Sequence, residues 1–255
     1  MPLDPPARIC IFGDSNIASV RKALDAGLLH PAFAAAEFWG AGGPRFRDLH
    51  LREGIVVPGL EAAPVVAQVN GRGRGVLDPA DFDVIVFYGA RLNAAEFIAH
   101  SVQLAADSGW PSRAVQEAMA RGWQENCRAY RFAAAFADRT KVWFVPASFP
   151  TDTARDYAIK GRLLVHAPAA EKTSPATRDR LWRLISQTAM ADGVRIVRQP
   201  EETVVRGVFS HARYGVEGAG QCQDGGHKSP DYAALVLNAA FDALFESAAA
   251  GIAAQ

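Results

Sequence analysis

The run Asp83-Val84-Ile85-Val86-Phe87-Tyr88 is apolar on consecutive positions and stops at Gly89. A strand with one solvated face alternates apolar and polar residues, whereas a continuous run suits a strand covered on both faces, as in a parallel sheet. The segments around it repeat that logic. Arg8-Ile9-Cys10-Ile11-Phe12, a Gly13-Asp14-Ser15-Asn16 break and the apolar period Val20, Leu24, Leu28 predict strand, turn and helix. A second strand is expected within Phe33–Trp39, before Gly40-Ala41-Gly42-Gly43-Pro44, a fourth over Lys141–Val145 stopped by Pro146, and a fifth over Val194–Val197 stopped by Pro200.

Helical patterns fall between them. A long zone covers Pro111–Phe136, with Val115, Met119, Trp123 and Tyr130 inward; a second opens at Ser174-Pro175 and ends near Gly193. A final helix runs from Pro230 to about Ala249, with Tyr232, Leu235, Val236, Ala239 and Leu244 as buried positions. Strands alternating with helices predict an α/β fold, a five-stranded mostly parallel sheet with helices on both faces. Residues 1–255 read as a single domain with an irregular insertion at about 52–80, in which Val65–Val69 and Gly75–Leu77 are candidates for a small hairpin.

Lys and Arg total 27, matched by 27 Asp and Glu, so no net field draws in nucleic acid, and no apolar run is long enough to span a membrane. The start Met1-Pro2-Leu3-Asp4-Pro5-Pro6 has neither a basic n-region nor an apolar h-region, and the cysteines, Cys10, Cys127 and Cys222, are odd in number and scattered. A cytoplasmic location with reduced thiols is expected. His30, His50, His100 and His166 stand in no metal-ligand spacing, and neither metal nor cofactor is expected.

Ligands of open parallel sheets bind outside the carboxyl ends of the strands. Ser15 falls there, at the first turn of a helix, where a serine is either a simple cap or a nucleophile. Asp224-Gly225-Gly226-His227 falls just before the last helix. A hydroxyl attacks well only when a base takes its proton, and a carboxylate beside an imidazole fixes the tautomer that can do so. Each feature alone has an ordinary structural reading.

Together, Gly13-Asp14-Ser15 after the first strand and Asp224-x-x-His227 before the last helix resemble the GDSL/SGNH hydrolase family, in motif order and strand placement from Ile9 to about Leu244. The resemblance implies a flavodoxin-like three-layer α/β/α sandwich and a serine hydrolase. Its catalytic residues would be Ser15, Asp224 and His227, acting on a small-molecule or carbohydrate ester with a small acyl group such as acetyl. It further implies an oxyanion hole built from the Ser15 N–H, a glycine N–H after strand two and an asparagine after strand three. Gly43, directly before Pro44, is the favoured glycine and Gly42 its competitor.

The asparagine position holds Arg91, and Asn93, two residues later, is a candidate oxyanion donor only if the loop takes a different conformation. Arg91 is a candidate oxyanion donor, or a ligand for a substrate carboxylate or phosphate; otherwise the hole lacks a donor, at a typical cost of about 2.7–4 kcal/mol. Asp14, Asn16, Trp39, Arg91 and His211 are expected around the substrate. The alternatives are an O-acyltransferase using the same triad and a catalytically weakened binding protein. Gly71-Arg72-Gly73-Arg74-Gly75 lacks the Lys-Ser/Thr of a phosphate loop, and a solvated loop is the expectation there, ahead of attraction of an anionic substrate by its two arginines.

Overall fold

The computed structural model describes residues 7–156 and 165–252, with side chains for these except 154 and 243–252. Strand β1 (Ile9–Gly13) leads into helix α1 (Ile17–Asp25) and β2 (Glu37–Gly40). Next come β3 (Leu49–Arg52), β4 (Ile55–Pro58), α2 (Ala63–Asn70), β5 (Val84–Asn93) and α3 (Ala94–Ser108). They are followed by α4 (Arg113–Glu125), α5 (Arg128–Phe136), β6 (Lys141–Ala147), α6 (Ala167–Lys172), α7 (Pro175–Ala191) and β7 (Val194–Ile196). A short β8 (Val204–Val205), β9 (Phe209–Ser210) and the long α8 (Pro230–Ile252) complete the order.

The central sheet has five strands in the order β2-β1-β5-β6-β7, every neighbouring pair parallel. The chain steps outward from β1 to β2 and then returns to the other side of β1 with β5, so the sheet's switch point lies between β1 and β5. Successive side chains of a strand face opposite ways. Cys10, Phe12, Ile85, Phe87, Val142 and Phe144 accordingly join one core with residues of α3, α5 and α7. Ile9, Ile11, Val86, Tyr88, Trp143 and Val145 join a second core with α1 and α8. The expected α/β sheet covered on both faces is the fold observed. Complete burial of a Phe such as Phe12, Phe87 or Phe144 contributes about 1.5–3 kcal/mol each, so the strand pattern and the layering are two views of one driving force.

Several local expectations differ from what forms. Strand two starts at Glu37, because Pro31 opens a 3-10 turn over Pro31–Phe33, with the His30 ring accepting the Ala32 N–H. The insertion is not irregular. Val65–Val69 lies in helix α2, whose first turn carries Pro64, a position where proline's missing N–H costs nothing. Leu77 instead bridges Val56, and the hairpin sits earlier, where Glu53 and Gly54 both take positive φ and Arg52 faces Ile55. After β2, Gly43–Asp48 forms a 3-10 segment running into β3.

Strand β5 continues beyond Gly89 to Asn93, and the 111–136 zone is two helices preceded by α3. Of its expected inward residues, Tyr130 is buried and Met119 and Trp123 pack partly against the core, while Val115 is 48% exposed. Pro146 does not end β6, since neither neighbour pairs regularly there: β7 pairing ends at Phe144 and β5 slips register between Tyr88 and Asn93. In α8, Tyr232 and Val236 are buried and Ala239 is exposed; the Leu244 side chain lies outside those described. No helix among the described residues is long and apolar enough to cross a membrane.

Candidate active site

Ser15 lies in the turn between β1 and α1, at the switch point, with its side chain exposed. Its Oγ is 2.7 Å from Nε2 of His227, and Nδ1 of His227 is 2.7 Å from Oδ2 of Asp224. An ionised carboxylate only accepts, so the proton of a neutral ring sits on Nδ1, which leaves Nε2 bare to accept from the Ser15 hydroxyl. The acidic residue is fixed locally. Oδ1 of Asp224 accepts the N–H groups of Gly226 at 3.1 Å and His227 at 3.0 Å, closing a four-residue turn. Burial pushes the Asp224 carboxyl up, but the N–H of His227, its ring and the Gly226 N–H outweigh this and hold it below the usual carboxylate range.

Two residues brace that turn from behind. The Gly225 carbonyl accepts the Thr151 N–H at 2.9 Å and the Lys228 ammonium, also at 2.9 Å. Lys228 is 3% exposed, and its Nζ also donates to Thr151 Oγ1 at 3.0 Å. Burial pulls the Lys228 pKa down to about 7, against a smaller upward pull from Asp224. Neither residue was singled out from the sequence. Lys228 directly follows His227, which is a signal of position only, and nothing near Thr151 marks it.

On the other side of Ser15 the framework is ionic. Asp14 is 6% exposed and accepts the backbone N–H of Asn16 at 3.1 Å, Asn16 Nδ2 at 2.9 Å and Arg91 Nε at 2.9 Å. Arg91 Nη2 donates to the Gly43 carbonyl at 2.8 Å, and its guanidinium carbon lies 5.1 Å from the Phe46 ring centre. Asn16 Nδ2 reaches on to the Gly89 carbonyl at 3.2 Å. The chain ends of β1, β2 and β5 are thereby tied together through Asp14, Gly43 and Arg91. Arg91 itself takes φ +58°, a left-handed conformation that costs a non-glycine residue about 1–2 kcal/mol. Asp14 and Asn16 thus bind one another and Arg91 while bordering the cavities on either side of Ser15.

Of the two candidate glycines, Gly42 is the one set against Ser15. A β-carbon on Gly42 would stand 3.7 Å from both Cβ and N of Ser15, whereas one on Gly43 would meet nothing within 4 Å. Among the described residues the N–H groups of Ser15, Gly42 and Gly43 all have no protein acceptor. Gly42, the competitor, is thus the glycine that flanks the serine, while the Gly43 carbonyl is engaged by Arg91. Asn93 caps α3, its Oδ1 accepting the Glu96 N–H at 3.2 Å. Trp39 is completely buried, stacked on Phe12 at 5.8 Å with its Nε1 on the Arg74 carbonyl, so it is core rather than a substrate contact. His211 is an exposed cap whose Nδ1 accepts the Arg213 N–H. Among the described residues no three His, Cys, Asp or Glu side chains are grouped to hold a metal ion.

Ser15 borders two cavities. One of about 640 Å³ also touches Gly42, Phe38, Arg21 and Arg72; the other, of about 300 Å³, touches Asp224, His227 and Lys22. Arg21 was missed, although Ser15, Ala18 and Arg21 repeat at a spacing of three from the turn into α1. Arg72 lies in the loop expected to be solvated. The loop is exposed at Gly71, Arg72, Gly73 and Gly75, as expected, and is also anchored: Asn70 Oδ1 accepts the N–H groups of Arg72 and Arg74, and the Arg74 side chain pairs with Glu37 and Asp81.

Neither a protein-family model nor a curated protein matches the chain.

Proposed function

We propose that this protein is a serine hydrolase of the GDSL/SGNH type, cleaving an ester-linked acyl group from a small polar or carbohydrate molecule. The observation that carries this reading is the pair of 2.7 Å contacts linking Ser15, His227 and Asp224 at the switch point of a parallel sheet. As Ser15 Oγ bonds to the ester carbon, its proton passes to His227 Nε2, and the carbonyl π electrons move onto the oxygen. Asp224 stabilises the imidazolium. The N–H groups of Ser15 and Gly42 are the donors to the tetrahedral oxyanion.

When the oxyanion collapses, the bond to the alcohol breaks and His227 gives that alkoxide the proton. Water then enters beside His227, loses a proton to Nε2 and attacks the acyl-serine; collapse frees the acid and returns the proton to Ser15. Arg91 acts as a positioning residue, holding Asp14 and the Gly43 carbonyl and so the spacing of Gly42 from Ser15. A fluorophosphonate probe tests the reading. Labelling at Ser15 that disappears in Ser15→Ala and falls sharply in His227→Ala supports it, and a folded wild-type protein that takes no label overturns it.

One observation favours a second reading, transfer of the acyl group to a hydroxyl. The cavity beside His227, about 300 Å³, has room for more than a water. Partitioning of the acyl group between water and an added sugar, measured by product analysis, separates transfer from hydrolysis.

A further inference from the structure

The larger cavity beside Ser15 combines an apolar floor with a cationic wall. Phe38, Ile17 and Ala41 line it near the serine, and Arg21 and Arg72 line it from α1 and from the loop after α2. Arg21 is held by stacking, its guanidinium carbon 3.9 Å from the Phe38 ring centre. Arg72 donates from Nη1 to the Ala35 carbonyl at 3.4 Å, and its backbone N–H is fixed by Asn70. Neither arginine pairs with a carboxylate of the described residues. The nearby acids are already taken: Asp14, which also borders the cavity, by Arg91, and buried Glu37 by Arg74 and Asn70. Two arginines with most of their guanidinium donors uncommitted therefore line a cavity whose one carboxylate is paired with Arg91.

We infer that this cavity binds the oxyanion group, a carboxylate or a phosphate, of an anionic ester whose reactive carbonyl lies at Ser15. A guanidinium matches both groups with paired N–H donors. The inference rests on Ser15 being the nucleophile and narrows the polar substrate to a negatively charged one. The carboxylate source places the charge on the acyl chain, as in a dicarboxylic half-ester; the phosphate source places it on the alcohol.

The test compares matched esters. 4-Nitrophenyl hemisuccinate is set against 4-nitrophenyl butyrate, and the acetyl ester of 2-hydroxyethyl phosphate against that of ethylene glycol. The wild type is expected to prefer the anionic member of one pair in kcat/KM by about a hundredfold, with about tenfold of that ratio lost in each of Arg21→Gln and Arg72→Gln. High salt should compress the ratio. Which pair shows the preference decides between acyl and alcohol. Equal kcat/KM within both pairs, or a preference that survives the double substitution, overturns the inference.

A second arm does not depend on turnover. Ser15→Ala protein should bind succinate or inorganic phosphate in calorimetry, and binding should fall at least about tenfold in the Arg21→Gln/Arg72→Gln background. Binding that persists there overturns the inference as surely as no binding at all. Should the fluorophosphonate label fail while this binding stands, the hydrolase reading falls and the anion site does not.

Discussion

The Asp224–His227 turn and the Asp14–Arg91 clamp flank the same serine but are built differently. In the turn, acid and base are three residues apart, and the backbone supplies most of the order through the N–H groups of Gly226 and His227. In the clamp, Arg91 is 77 residues from Asp14 and 48 from Gly43, and the order comes from a guanidinium reaching between strand ends. A local turn survives small shifts in packing because its partners move together. A clamp across strands transmits every shift to the Gly42–Ser15 spacing. Under the proposed hydrolase reading, acid–base chemistry falls on the self-contained side, and oxyanion contacts on the side tuned by long-range pairing.

The largest effects should come from the relay that joins the two sides. Ser15→Ala and His227→Ala are expected to lower kcat by about 10⁶, and Asp224→Asn by about 10⁴, in a steady-state ester assay. Circular dichroism should stay native, since Ser15 and the His227 ring are partly exposed. Residual activity within tenfold of wild type in any of the three would break the assignment of roles.

Next in size is the buried ammonium behind the turn. Lys228 titrates near 7 in the folded chain and near 10.5 when unfolded, so between those values the unfolded chain binds more protons. Lys228 therefore adds stability as pH rises from about 7, until the Cys10 and Cys127 thiols, which burial raises, begin to ionise in the unfolded chain above about pH 8.5 and work against it. Burial raises the Tyr88 and Tyr232 hydroxyls, which works the opposite way above about pH 10. Urea melts between pH 7 and 8.5 should show the upward slope in wild type and a flattened one in Lys228→Met; equal slopes would refute the burial argument.

Breaking the clamp should cost less. Arg91→Ala leaves a buried Asp14 without its cation, which is expected to lower stability by about 1.5–3 kcal/mol. Loosening the Gly42 loop should lower kcat about a hundredfold. Adding Asp14→Asn removes the unpaired charge, so the double variant should regain stability more than activity. Recovery of both together would mean that the clamp has no positioning effect.

The smallest contrast is between adjacent glycines. Gly42 has φ −84°, which an alanine adopts freely, and its added methyl would lie in ordinary contact with Ser15. Gly42→Ala should keep stability within about 0.5 kcal/mol yet lower the rate, because the methyl crowds the oxygen's approach. Gly43, at φ +59°, should lose about 1 kcal/mol as alanine with little change in rate. Reversal of that pattern in paired melts and assays would restore Gly43 as the donor.

Much of the sheet was legible in the sequence because a parallel strand covered on both faces must be continuously apolar, and Val84–Tyr88 is. The 52–80 segment misled because Val65–Val69 has the composition of a strand, while its packing against β2 makes it a helix. Trp39 misled in the same way: an aromatic at a strand end looks available until its neighbours, here Phe12 and the Arg74 loop, are in place.

What the sequence by itself determined is the set of features whose partners are near in the chain. These are the chain order of the five central-sheet strands, the serine in the first strand–helix turn and the Asp-x-x-His turn before the last helix. Only the tertiary structure decided that Ser15 and His227, 212 residues apart, meet at 2.7 Å. The fold likewise decided that Arg91 serves Asp14 and Gly43, that Gly42 rather than Gly43 stands at the serine, and that Arg21 and Arg72 share a cavity. The reason is physical. Local hydrogen bonds and periodic burial are written in neighbouring residues, but a guanidinium's partner is whichever acceptor the folded sheet brings within its reach.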